Sequence, residues 1–181
     1  MCGNTWINLG VHILTEEYAF PEAYVEDVEG QRYLCLENDV FTVISSAINF
    51  DRCVRRFGLI PYEQVLNYID LVDAKTKSSI AVLRENMREK IYQGYIIEKD
   101  THVCIQEITG NTIFVLAKEG ISIKKDASIA YVVTNKLEVR NIKSMCEGLI
   151  TLIVDLPWEE PRKTILVVPS VYRSITARKS T

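Results

Sequence analysis

The sequence is poor in the residues from which most catalytic and metal centres are built. It has two histidines, His12 and His102, in 181 residues, and neither a CxxC nor an HExxH pattern. A zinc site needs several converging ligands, and these spacings offer no local pair to begin one. The eight glycines are dispersed. No G-x-x-x-x-G-K-[ST] loop occurs, which excludes a Walker-type nucleotide cradle, and no G-x-S-x-G elbow marks a hydrolase. Excess positive charge is absent too: the formal charge is −3. Nucleic acid is therefore not a predicted partner, since phosphate binders usually present a basic face. No run of about 18 apolar residues is present, so no membrane span is expected. The opening MCGNTWINLGVHILTEE lacks the basic start and continuous apolar core of a secretory signal.

What is present is an ordinary globular composition, 48% hydrophobic and 25% charged, on a chain long enough to bury a sizeable core. Its five cysteines, Cys2, Cys35, Cys53, Cys104 and Cys146, are widely scattered. The odd count and the missing signal predict reduced thiols in a cytoplasm, serving as packing or surface residues.

Patterning divides the chain. INLGVHIL suggests a strand, Ala23–Val28 and Gln31–Leu36 a hairpin around Glu29-Gly30, and Phe41–Ile48 a further strand. Arg52, Arg55 and Arg56 form a basic cluster that suits a solvated helix face or an anion site. Two helices are predicted next. The first, PYEQVLNYIDLV, has Pro61 near its start. The second, AKTKSSIAVLRENMREKIYQ, has Asp73 as its cap, Gly94 as its stop and Ile80, Leu83, Met87 and Ile91 on one stripe. From Tyr95 the period changes to two: YIIEKD, HVCIQEI, TIFVLAK, SIAYVVT, LEVRNIK, LITLIVDL and TILVVP are short strands with brief turns. The expected fold is α+β. A mixed N-terminal part with two helices spans 1–94, an all-β domain 95–170 and a tail 171–181.

One stretch carries a more specific signal. GISIKKDASIAYVVTNKLEVRNIKSMCEGLI, residues 120–150, alternates, turns at Asn135-Lys136, alternates again and closes on Gly148. Gly120, Ile123, Lys124, Lys125, Ile129, Ala130, Val132, Thr134 and Lys136 fall at the offsets of a lipoyl attachment pattern, and Gly148 and Ile150 match its closing segment with one inserted residue. The stretch resembles the biotinyl/lipoyl carrier domain, a sandwich of the barrel-sandwich hybrid type. The whole chain is similar to an uncharacterised archaeal family carrying such a domain.

That resemblance implies an all-β fold and makes Lys136 the candidate attachment lysine for lipoate or biotin. The flanks depart from the pattern. Asn135 and Leu137 stand where biotin carriers have methionines, and Asn135 where lipoyl carriers favour an acid. Asp126-Ala127 replaces Gly-Asp, and Val133 replaces a common glutamate. A tight turn presents its side chains to solvent, which suits either an acylated amine or a plain turn lysine. The expected function is thus a non-catalytic, unmodified interaction or scaffold module in the cytoplasm, with no cofactor and no metal. Its partner is a protein, or a second copy through an exposed strand edge. The alternative is a prosthetic-group carrier modified at Lys136.

Overall fold

In a computed structural model, which describes residues 19–45 and 52–180, the chain folds almost entirely into strands. First come β1 (Glu22–Glu26), β2 (Arg32–Glu37), β3 (Val40–Ser45) and β4 (Arg55–Ile60). A 3-10 helix, Tyr62–Tyr68, leads into the small pair β5 (Ile69–Asp70) and β6 (Lys75–Thr76). The hairpin β7 (Ile80–Asn86) and β8 (Ile91–Ile97) follows. Then come β9 (Val103–Gly110), β10 (Thr112–Val115), β11 (Ser122–Ile123), β12 (Ser128–Val133) and β13 (Val139–Lys143). The last are β14 (Gly148–Leu149), β15 (Leu152–Leu156), β16 (Arg162–Pro169) and β17 (Arg173–Lys179).

Seven strands close a barrel in the order β1-β4-β2-β3-β17-β8-β7. The last strand is a barrel stave: β17 runs parallel to β3 and antiparallel to β8. Alternation sends Tyr24, Leu34, Phe57, Leu83, Tyr92 and Ile96 into the interior, all fully buried. Their neighbours Ala23, Val25, Ile80 and Val82 face outward, yet they are buried too. They pack against Leu152, Val154, Ile165 and Val167 of the C-terminal unit.

That unit stacks the sheet β15-β16-β9 against the sheet β10-β12-β13, with β11-β14 beside them. Ile108, Ile129, Val132, Ile150, Leu166 and Val168 form the core between the layers. β16 is therefore buried on both faces, Ile165 and Val167 toward the barrel and Leu166 and Val168 toward the other sheet.

Several sequence expectations are overturned. Among the described residues 57% are strand and 4% helix, so the α+β class with two helices is wrong. The first predicted helix shrinks to the 3-10 turn, and the second is the β7–β8 hairpin. Ile80-Ala81-Val82-Leu83 is buried at every position because β7 has the barrel core on one side and the C-terminal unit on the other. A short apolar run of that kind mimics a helical stripe. Met87, assigned to the stripe, is exposed in the turn. There the Asn86 side chain accepts the Arg88 and Glu89 amides at 3.0 Å, and Lys90 takes a positive φ. Gly94 is no helix stop but lies within β8, where a Cβ would meet the Val82 carbonyl oxygen at 1.9 Å.

Three more differences concern connectivity. The strands β1 and β2 do not form a hairpin; each pairs with β4. Within the expected tail, Arg173–Lys179 form β17 and complete the barrel, and residue 95, where a division was expected, lies inside β8. Four cysteines are paired rather than reduced, Cys35 with Cys53 and Cys104 with Cys146. Parity misled here, because the fifth, Cys2, together with His12 and the strand expected over INLGVHIL, lies outside the described residues. The short strands expected after Tyr95 are present as β9, β10, β12, β13, β15 and β16.

Candidate functional site

The lysine hairpin is built by β12 and β13, whose last ladder pair is Val133↔Val139. Between them the Leu137 amide donates to the Thr134 carbonyl at 2.9 Å, and the Thr134 amide donates to the Glu138 carbonyl at 3.0 Å. Asn135 and Lys136 are the two central residues of that β-turn. The left-handed position, however, is Leu137, with φ 61°, rather than Asn135. Asn135, Lys136 and Leu137 are all exposed, Leu137 by 82%. The Lys136 amine has no hydrogen bond or ion pair among the described residues.

The sheet behind the turn has one dry face and one wet face. A register shift between Ser128 and Ala130 places both Ile129 and Ala130 inside, so that Val132 points inward and Tyr131 and Val133 outward. The outer face carries the row Phe114↔Tyr131↔Asn141 and the row Thr112↔Val133↔Val139. Phe114, Tyr131 and Val139 are 58%, 40% and 69% exposed. With Leu137 they give an apolar surface beside the lysine, larger than lone exposed side chains would make. Lys124, Lys125, Lys136 and Lys143, all exposed, stand on the same β12–β13 hairpin or the turn before it.

A second polar centre lies at the seam between barrel and C-terminal unit. Glu119 precedes Gly120, which has φ 79°, and its carboxylate is 7% exposed. One oxygen accepts Arg84 Nη2 of β7 at 2.7 Å. The other accepts the Ile153 amide at 2.7 Å and the Tyr62 hydroxyl. Burial and this carboxylate push the Tyr62 phenol well above its ordinary range, so it stays a donor. Sequence reasoning passed over Glu119, Arg84 and Tyr62, because their spacing carries no motif and only the tertiary fold joins them.

The basic cluster separates. Arg55 donates to Glu26 at 2.5 Å and to Glu98 at 2.7 Å, while Arg56 pairs with Glu29 at 3.0 Å. Hydrogen bonds from Arg55 hold the Glu26 and Glu98 carboxyls below their ordinary range. Inside the barrel, burial pushes the Tyr92 phenol up to about 12. Arg32 bridges Tyr92 and Glu22 there, at 3.2 and 2.5 Å. Among the described residues no three His, Cys, Asp or Glu side chains gather in a metal-holding group. No helix among them is long and apolar enough to cross a membrane.

Fold and site together define an all-β protein of two packed units, a closed barrel and a layered C-terminal unit that displays a lysine at an exposed turn. Residues 18–170 match the family described as "Uncharacterized protein conserved in archaea (DUF2118)", and the chain belongs to that family. The match identifies no biotinyl/lipoyl domain. No curated protein matches the chain in sequence.

Proposed function

We propose that this chain is a non-catalytic interaction module whose C-terminal unit, biotinyl/lipoyl-like in its lysine hairpin, binds a protein partner with Lys136 unmodified. The observation that carries the reading is the exposed apolar row Phe114–Tyr131 together with Leu137 and Val139. Exposed aromatics gathered on one face mark interaction surfaces, where they become buried anchors. The lysines around this face select a partner whose apolar patch has an acidic rim.

The test is cross-linking from the lysines of this face in the native host, mapped by mass spectrometry. A single protein should be captured by the wild type and lost in a Phe114→Ser, Tyr131→Ser variant of unchanged melting temperature. Equal capture by both proteins refutes the surface. Cross-links only between copies of this chain would assign the face to a homo-oligomer.

A second reading, a carrier with lipoate or biotin on Lys136, is favoured by the unpartnered amine at a central turn position. The residues fit such a group: the amine is exposed and can form an amide without displacing any bond. Lys136 would hold the group, which would supply acyl- or carboxyl-group transfer when bound. Intact mass of protein from its native host separates the two readings. Added mass on the peptide carrying Lys136 establishes the carrier, and its absence under conditions that modify other carriers removes it.

A further inference from the structure

The seam between the two units contains a cleft of about 430 Å³, within the size range of small-molecule sites at domain interfaces. Its floor is the outer face of three barrel strands, and cross-strand register fixes what lies there. One row is Val82↔Tyr95↔Ser174, and the next is Arg84↔Gln93↔Thr176. Glu119, Gly120 and Thr151 of the C-terminal unit form the facing wall.

The one cation of the lining keeps unused donors beside hydroxyls that can donate or accept. Arg84 commits Nη2 to Glu119, while its Nε and Nη1 have no partner among the described residues. The Tyr95 hydroxyl has none either, and the Ser174 and Thr176 hydroxyls are exposed. The one acid, Glu119, already accepts three hydrogen bonds, from Arg84, Tyr62 and Ile153. Arg84 can only donate, so the part of an occupant that meets it must bring an acceptor. The single Nη2 contact with Glu119 holds one end of the guanidinium in place, which lowers the ordering cost of a further charge-assisted contact to Nη1. Gly120 keeps the space above Tyr95 open, because a Cβ there would stand 3.3 Å from the Tyr95 hydroxyl. The Tyr95 ring supplies apolar surface, extended outward by Tyr172, edge-on at 5.4 Å between centroids.

We propose that this cleft binds a small monocarboxylate with a flat or branched apolar body. Its carboxylate is held by the unpartnered Nη1 of Arg84 and by the Tyr95 hydroxyl, and its body lies over the Tyr95 ring. Glu119 sets the charge limit. A dianion such as phosphate meets a fixed carboxylate across the same guanidinium, whereas a monoanion accepts from Arg84 without a second excess charge. The site shares no residue with the lysine hairpin face and stands or falls independently of it.

Titration of the isotope-labelled full chain with benzoate, followed by amide NMR, tests the assignment. Amides of Arg84, Tyr95, Gly120 and Ser174 should move together and saturate. Benzamide, the same shape without the charge, should bind about tenfold more weakly, since charge-assisted hydrogen bonds are roughly twice as strong as neutral ones. Arg84→Lys keeps a cation for Glu119 but removes the fork, and should weaken benzoate several-fold. Tyr95→Phe keeps the ring and provides the same readout if the Arg84 variant fails to fold. Equal affinity for benzoate and benzamide would overturn the proposal. So would tighter binding of inorganic phosphate, shifts confined to residues outside the cleft, or undiminished binding by a folded Arg84→Lys or Tyr95→Phe protein.

Discussion

Glu119 and Arg84 meet at 2.7 Å across the boundary between barrel and C-terminal unit, and the carboxylate is the more deeply buried partner. The same carboxylate accepts the Ile153 amide and the Tyr62 hydroxyl, so one side chain ties together β7, the 3-10 helix and the strand β15. Apolar contact between Val82 and its neighbours and Leu152, Val154 and Val167 does the rest of the joining.

Removing Glu119 should therefore cost more than an ordinary surface ion pair. Glu119→Ala leaves a cation, a buried hydroxyl and an amide without their acceptor, and is expected to lose about 2–4 kcal/mol in urea unfolding. A loss below about 0.5 kcal/mol, the scale of an exposed pair, would show that water replaces the carboxylate there.

Reduction should destabilise both halves of the molecule. Cys35–Cys53 closes a separation of 18 residues and Cys104–Cys146 one of 42. Chain-entropy reasoning assigns them about 3 and about 4 kcal/mol. Denaturation with and without a reductant should separate the two forms clearly, and identical curves would contradict the pairing.

Gly94→Ala should be among the most damaging single changes. The added carbon would stand 1.9 Å from the Val82 carbonyl oxygen, and backbone on a paired strand cannot move aside as a flexible side-chain end can. A loss of about 3 kcal/mol or more, or failure to fold, is expected. A variant as stable as the wild type would mean that β7 and β8 do not lie in this register.

Acid should weaken the protein through Arg55. Its hydrogen bonds lower the folded-state values of Glu26 and Glu98 from the ordinary 4.5. Stability from a lowered carboxyl is present above the unfolded value and is lost as pH falls through the folded one, so the loss begins near 4.5 and continues below it. Arg55→Met should flatten that slope. At the other end, Tyr92 is raised from 10.0 to about 12 by burial. Its contribution is intact below 10 and fades between about 10 and 12. Unfolding free energy measured from pH 3 to 12 checks both limits, and an unchanged acid slope in the Arg55 variant would remove the first.

Much of the C-terminal unit was legible in the sequence. In β9, Gln106 and Ile108 are buried while Glu107 and Thr109 are exposed, and turn residues punctuate the strands; such segments follow from period two with little competition. The exposed lysine turn was legible for the same reason, although Leu137 rather than Asn135 takes the left-handed position. The β7–β8 hairpin was not. Ile80, Leu83, Met87 and Ile91 fit a helical stripe equally well, and local pattern cannot tell one buried stripe from a strand buried on both faces.

Glu119 and Arg84 belong to the same class of hidden fact. They lie 35 residues apart, with no motif to announce them, and their partnership exists only because two folded units meet. By itself the sequence determined where the C-terminal chain alternates and where it turns, since side-chain period and turn chemistry are local properties. Only the tertiary structure decided that β17 closes a barrel and that β7 is covered on both sides. It alone placed an arginine against a glutamate over an open cleft. Those outcomes depend on which surfaces are left to bury one another, and no window of neighbouring residues contains that information.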